Sequence, residues 1–394
     1  MSSNILDNMS TTCARHTLWR TQAQARSFFL MNRRSFTATP STRLSLARES
    51  PDVQKAQAYC QNLVRNYDSP SYTLAHFIRP HMLPAYFAIR AFNIELARIP
   101  DVVSMPQIGA MRMQFWRDTI NKSFELTPPQ EPVAILLASY LQQGHKLNKT
   151  WFQRIITARD RKLTHPGFTS LTELESYAES TYSTLLYLSL SALPLNSLTM
   201  DHLASHVGKA AGIAAVLRGV PLLAFPPPPN QHSNNPVGLG MPTTREKQGA
   251  ITLPLDVMSQ YGVREEDIFR NGGDAAGLRD AIFAVATRAS DHLITARTML
   301  KNVRQDQDPG HEFEHLNEEG HEPGRYDPEA SKSADKSKAE IDEGFGIVMG
   351  PAVSTQLWLS RLQKADFDIF NGTLRRVEWK LPFVAWLRSK RGEL

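Results

Sequence analysis

Residues 208–220 read GKAAGIAAVLRGV. A run this rich in Gly and Ala, with no strand-like alternation, predicts a helix whose backbone other helices can approach closely, and so one buried at the centre of a helical core. Outward from it, apolar residues recur at three- and four-residue spacing over 53–67, 83–99, 108–124, 133–141, 171–193, 198–225, 278–300 and 353–370. Such spacing collects apolar side chains on one face of a helix. Period-two alternation is almost absent, so an all-α fold is expected. Pro84 and Pro106 stand near predicted starts, and Pro80 and Pro100 between segments. Ser170, three residues before Glu173, has the spacing of a capping box.

The chain has 394 residues, 41% apolar and 21% charged, enough for one large or two medium cores. It has no uninterrupted apolar run of about 18 residues, the length that spans a bilayer. The net charge is +5, but residues 1–48 hold seven arginines against one acid, Asp7, and carry +6. The rest of the chain is therefore at −1, which gives a nucleic-acid footprint no support. Residues 1–48 are rich in Arg, Ser and Thr, with Leu18, Phe28, Phe29, Leu30 and Met31 among the arginines. That is the composition of a mitochondrial presequence, with a disordered basic tail as the alternative. Cys13 would leave with it and Cys60 would remain alone, which excludes a disulfide framework or a cysteine-rich zinc site.

Residues 226–248 are rich in Pro and Asn and read as an inserted loop. Residues 302–343 carry thirteen acids against five basic residues and read as a disordered acidic insert. Residues 49–394 without these two inserts form one helical domain of roughly 280 residues.

Taken in order, 83–101 (LPAYFAIRAFNIELARIPD), 108–120 (IGAMRMQFWRDTI), 177–190 (YAESTYSTLLYLSL), 208–220 and 249–256 (GAITLPLD) resemble the landmarks of the squalene/phytoene synthase family. The resemblance runs from about Ala56 to Leu387. It implies an isoprenoid (terpenoid) synthase-like helical bundle in which two aspartate-rich motifs on facing helices hold Mg²⁺ ions against a substrate diphosphate. Ionising an allylic diphosphate leaves an anion that must be neutralised as the carbon–oxygen bond breaks, and carboxylate-held Mg²⁺ does this. Four-residue spacing puts two carboxylates on one helix face. Here the two pairs of positions hold Asn93 with Ala97 and Gly219 with Leu223. If one lost electrostatic stabiliser costs about 3–4 kcal/mol, loss of both ion clusters abolishes turnover. The expectation is a pseudoenzyme without metal or cofactor.

Substitute ligands are few. Glu95 points to a different face from Asn93, and Asp101 lies past Pro100, where it is expected off the helix. Glu175 and Glu179 have ligand spacing but fall near a helix start, where acids are favoured, and read as a solvated face. His202 and His206 lack a third ligand at matching spacing and are read as capping or packing residues. Arg90 and Arg218 survive beside the two motifs and, by the resemblance, are candidates for anion or lipid-headgroup binding; the alternative is pairing with Glu95 or with helix carboxyl ends. Met111, Met113, Phe115 and Trp116 read as core packing. Residues 379–391 (WKLPFVAWLRSKR) mix Trp379 and Trp386 with Arg388, Lys390 and Arg391. They suit contact with an anionic membrane surface, with packing of the aromatics on the core as the alternative.

Within the family, the runs RAFNIELA, IGAMRMQFW, ASHVGKAAGI and ADFDIF resemble a mitochondrial branch lacking the catalytic aspartates. That resemblance implies a matrix-side protein, peripheral to the inner membrane, whose partner is an assembly intermediate or subunit of NADH:ubiquinone oxidoreductase (complex I). The alternatives are an isoprenoid- or lipid-binding protein and a residual prenyl-diphosphate transferase.

Overall fold

A computed structural model describes residues 50–103, 105–194, 197–226, 249–305 and 334–394, and the side chains of 334–338 are outside the description. The presequence reading and almost all of the Pro/Asn insert lie outside the described residues. The rest belongs to one compact unit, Glu49–Leu394.

The chain runs through α1 (Pro51–Tyr67), α2 (Ser69–Leu74), α3 (Leu83–Val102), α4 (Pro106–Phe124), α5 (Pro132–Gln142), α6 (Lys149–Thr164) and α7 (Leu171–Ala178). A π-helical turn, Glu179–Ser183, then leads into α8 (Thr184–Ser191) and α9 (Leu198–Ala224). After the Pro/Asn insert come α10 (Leu255–Gln260), α11 (Glu265–Asn271), α12 (Leu278–Arg304), α13 (Ala334–Lys364) and α14 (Leu381–Arg391). Among the described residues the one β contact is an isolated parallel bridge between Phe168 and Pro254.

Helix starts follow local chemistry. Ser50, Asp68, Asn148, Ser170 and Ser197 each accept a backbone N–H of the first turn of α1, α2, α6, α7 and α9. At Ser170 the hydroxyl accepts from Glu173 N at 3.1 Å, while the Glu173 carboxylate reaches back to Thr169 N at 2.7 Å. The predicted capping box thus closes one residue further upstream than its usual form.

Helix α9 is the axis of the core, packed by α12, α13, α7, α8 and the π-helical turn. Close approach is what its glycines allow. A Cβ on Gly208 would stand 2.3 Å from Ser183 Cα, and one on Gly212 2.5 Å from Ala178 Cβ. By length and composition α9 could cross a membrane, which the expectation of no spanning segment had not foreseen. Its burial at the centre of the bundle accounts for the apolar composition without a bilayer.

Three further expectations change. Helix α3 continues through Pro100 to Val102, so Asp101 is on the helix. A proline in the last turn removes a single backbone bond, at the end where little follows it. The acidic insert is shorter than predicted: 302–304 complete α12, α13 begins at Ala334, and Ile341 is buried. Finally, α6 and the short α2, α10 and α11 had no predicted counterpart, and the helix expected over 353–370 ends at Lys364.

Candidate functional site

The face of α3 that carries Asn93, Ala97 and Asp101 lines a cavity of about 350 Å³, together with Arg90, Ile94 and Arg98. Across it α9 contributes Gly208, Ala211, Ala215 and Arg218, the chain around α2 contributes Asp68, Ser71 and Leu74, and α13 contributes Ser354 and Thr355. Tyr182, from the π-helical turn, also lines it. Asn93 and Ala97, the positions read from the sequence as the first pair, therefore face the cavity. The positions read as the second pair do not: Gly219, directly after Arg218, and Leu223 are outside the lining, and Leu223 is exposed.

The cavity is rich in guanidinium groups. Arg90 is buried, 3.9 Å from Asp68 Oδ2 and over the Tyr86 ring at 5.5 Å. Burial works to lower its pKa, but Tyr86, Asp68 and Tyr182 outweigh this, so the group stays charged. Arg218 sits over the Trp358 ring at 5.3 Å and donates through Nε to the Ala214 carbonyl at 3.2 Å. Burial pulls its pKa below the usual arginine value. Arg159, from α6, donates to Asn93 Oδ1, placing a third cation against the first motif position. Among the described residues the Nε atoms of Arg90 and Arg159 are buried without a hydrogen-bond partner. Neither surviving arginine pairs with Glu95, which accepts instead from Tyr59 Oη at 2.9 Å.

This donor set does not fit Mg²⁺. A divalent magnesium site needs oxygen ligands in near-octahedral array with carboxylates among them. The cavity lining holds two carboxylates, Asp68 and Asp101. Asp68 is committed to the Ser71 amide at 3.2 Å and to Arg90. Among the described residues no group of three or more His, Cys, Asp or Glu side chains is placed to hold a metal ion. The arrangement suits an anion held directly by guanidinium groups, which need no bridging ion.

Elsewhere the acids are not where the sequence suggested. Glu179 is buried, not solvated, and accepts from Tyr187 Oη at 2.6 Å and Ser205 Oγ at 2.8 Å. Burial, reinforced by the neighbouring Glu179 carboxylate, pushes the Tyr187 hydroxyl well above its usual range. Glu175 binds Arg288, and His292 Nε2 at 2.8 Å. His292 Nδ1 lies 3.0 Å from His206 Nδ1, and the His206 and His202 rings are 5.0 Å apart. These groups tie α7, α9 and α12 together, so helix-spaced carboxylates and histidines serve as interhelix polar bonds. On α4, Met113 and Trp116 are buried as expected, whereas Met111 and Phe115 are exposed.

At the carboxyl end the packing expectation fails for the aromatics. Leu381 and Ala385 of α14 are buried, but Trp379, Phe383 and Trp386 face outward. Lys390 and Arg391 are exposed, and Arg388 pairs with Glu393 at 2.9 Å.

Comparison with known proteins agrees with this architecture. The model of the squalene/phytoene synthase family matches residues 64–310. NADH dehydrogenase (ubiquinone) complex I, assembly factor 6 of Mus musculus is 32% identical over 345 residues, 88% of this chain and 85% of that protein. The Homo sapiens protein of the same name is 32% identical over 351 residues, 89% and 87%. A Drosophila melanogaster homolog of that factor is 37% identical over 251 residues, 62% and 68%. Among solved structures, a dehydrosqualene synthase superposes with a TM-score of 0.59 at 14% identity, covering 86% of this chain and 97% of that one. The squalene synthase HpnC from Alicyclobacillus acidocaldarius gives 0.54 at 14% identity, covering 80% and 96%. These two likenesses show the fold, an all-α isoprenoid synthase bundle.

Proposed function

The chain belongs to the squalene/phytoene synthase family, and from that premise we propose that it acts in the assembly of respiratory complex I and does not transfer prenyl groups. The observation that carries this is the 32% identity over 88% of the chain to a mouse protein named as a complex I assembly factor. The cavity supports the second half of the reading. Where the family's chemistry needs carboxylates, α3 carries Asn93, bound to Arg159, and Ala97, while α9 carries Gly219 and Leu223. Without carboxylate-held cations the departing diphosphate loses the divalent charge stabilisation on which the family's chemistry relies. In this reading the protein enters the mitochondrion by its basic, acid-poor first 48 residues and works on the matrix side, peripheral to the inner membrane. Its partner is a complex I assembly intermediate or subunit.

The test is native-gel quantification of complex I in cells lacking this gene, with complex III as internal control. Selective loss of complex I, restored equally by the wild-type chain and by Asn93→Asp/Gly219→Asp, is the expected result. Normal complex I in those cells would refute the assembly role. Release of diphosphate from an allylic substrate by the purified wild-type chain in Mg²⁺ would refute the non-catalytic half. A second reading, binding of an isoprenoid or lipid without chemistry, is favoured by the cavity itself, which joins Leu74, Ile94 and Leu186 to Arg90 and Arg218. Native mass spectrometry of the gently purified protein should then show a bound apolar anion.

A further inference from the structure

The carboxyl-terminal helix presents an apolar surface that the fold leaves uncovered. Val377 is 80% exposed, Trp379 69%, Phe383 67% and Trp386 58%, all within ten residues of one another. Scattered exposed apolar residues are ordinary, but contiguous large ones mark a contact surface. Here they are contiguous. Trp379 and Phe383 meet edge to face with centroids 6.5 Å apart, and Phe383, Trp386 and Leu387 follow at helical spacing on the outward face of α14. The opposite face is fixed: Leu381 and Ala385 are buried, and α14 packs on α13 and α2. The rings are therefore displayed by an anchored helix.

Charge says what covers them. From Arg375 to Glu393 the chain has six cations, Arg375, Arg376, Lys380, Arg388, Lys390 and Arg391, against two acids, Glu378 and Glu393, of which Glu393 is taken by Arg388 at 2.9 Å. Glu378 is itself engaged by Arg361 at 3.6 Å. A second copy of this surface would bring like charges together, and an apolar protein groove would leave the flanking cations without partners. A bilayer with anionic headgroups answers both features at once. Trp and Phe settle at the boundary between headgroups and acyl chains, and Lys and Arg meet the surface charge beside them.

We propose that α14, with the residues just before it, is a membrane-docking element that inserts Trp379, Phe383 and Trp386 into the interface of an anionic bilayer. It rests on the peripheral placement proposed above but is tested without complex I. The chain has six Trp residues. Trp116, Trp151 and Trp358 are buried, and Trp19 lies outside the described residues. In a full-length Trp19→Phe background, any ring quenched by brominated acyl chains must therefore be Trp379 or Trp386. With phosphatidylglycerol vesicles the expected result is strong quenching, weak with phosphatidylcholine vesicles and reduced by salt. Quenching should vanish in Trp379→Phe/Trp386→Phe. Trp379→Ala/Phe383→Ala/Trp386→Ala should weaken vesicle binding at least about tenfold with an unchanged far-UV spectrum.

Vesicle binding without quenching would overturn the proposal by placing the contact elsewhere on the chain. A concentration-dependent dimer that shields the rings without lipid would overturn it in favour of a second copy. If the rings fail to insert while the same chain restores complex I in cells, the docking element falls and the assembly reading stands.

Discussion

Replacing a glycine by alanine at two places on α9 should move stability in opposite directions. Alanine is the better helix former by about 1 kcal/mol, and that gain applies equally at positions 208 and 219. At 219 the nearest atom to a new Cβ is Leu223 Cδ1 at 3.8 Å, an ordinary contact. Gly219→Ala should therefore stabilise the protein by about 0.5–1 kcal/mol. At 208 the new Cβ would lie 2.3 Å from Ser183 Cα and 2.5 Å from Ser183 N. Those are backbone atoms of the π-helical turn and cannot rotate aside, so α9 must move off its neighbour at a cost of about 3 kcal/mol. The Ser183 hydroxyl, which donates to Ser205 O at 3.0 Å, is crowded as well, at a further cost of about 1 kcal/mol. Net of propensity, Gly208→Ala should lose about 3 kcal/mol, leaving the two variants about 3–4 kcal/mol apart. Because both introduce the same residue into the same helix, unfolded-chain effects cancel between them. Urea unfolding followed by far-UV circular dichroism, with equal slopes for all three proteins, measures the difference. A Gly208→Ala protein as stable as wild type would refute the claim that α9 is held by backbone contact with the π-helical turn.

Glu175 supplies a pH-dependent contribution. Burial alone would raise its pKa, but hydrogen bonds from His292 and Arg288 prevail and hold it at about 2, against 4.5 ordinarily. A depressed carboxylate stabilises the fold fully above the ordinary value and progressively less as pH falls toward the depressed one. Glu175→Gln should thus cost about 2 kcal/mol at pH 7, and the gap from wild type in urea should narrow between about pH 4.5 and pH 2. Glu179→Ala should cost about 3 kcal/mol in thermal unfolding, because Tyr187 and Ser205 lose a buried acceptor, whereas Glu179→Gln should recover most of the loss; equal losses would contradict that account. Pyrophosphate in the presence of EDTA should raise the melting temperature, by the equivalent of about 2.7 kcal/mol at a hundredfold excess over Kd. Arg90→Met/Arg218→Met should remove the effect, and a shift that appears only with Mg²⁺ would argue for ion-bridged binding.

What was legible in the sequence, and what was not, divides by the range of the interactions involved. The central position of α9 could be read because a Gly/Ala run permits close approach from every side, a property of the segment alone. Helix α6 was missed because its buried residues, Trp151, Phe152, Ile155 and Ile156, sit in a stretch otherwise full of Lys, Arg, Thr and Gln. With α6 went Arg159, whose partner Asn93 is 66 residues away. The Glu175 and Glu179 spacing was visible, but their environments were not: the local rule for acids at helix starts gives a solvated face, while Glu175's partners Arg288 and His292 lie 113 and 117 residues further on, and Glu179's partner Ser205 lies 26 residues further on. The aromatics of α14 could have gone either way, because helical spacing identifies a stripe without saying whether a neighbour covers it. Pro100 misled through a real bias, since the residue before a proline is disfavoured in a helix, and packing of α3 on α1 and α5 overrides it.

The charge left at the cavity connects fold to function. Around it stand Arg90, Arg98, Arg159 and Arg218 against Asp68 and Asp101, a surplus of two positive charges. In an ion-bridged site the carboxylates and their divalent cations would roughly cancel, and each arginine would add to the pull on the anion. In the proposed reading, Asn93 and Ala97 stand where that balance would need carboxylates, and the guanidinium groups remain. Arg90 is buried and Arg98, Arg159 and Arg218 are half-buried, and cations drawn out of water are costly unless something anionic neutralises them; Arg90 and Arg159 each keep a buried N–H without an acceptor among the described residues. Within the bundle α9 is gripped through Gly208 and Gly212 and through the Glu175, Glu179 and His292 bonds. In the proposed reading the scaffold lacks the ion-dependent chemistry while its cavity suits a phosphate or carboxylate, so the cavity's occupant and the complex I partner are separable questions. Arg90→Met/Arg218→Met would separate them: if complex I assembly survives that substitution while pyrophosphate no longer stabilises the protein, the anion is incidental to assembly, and if both are lost, the two are coupled through this cavity.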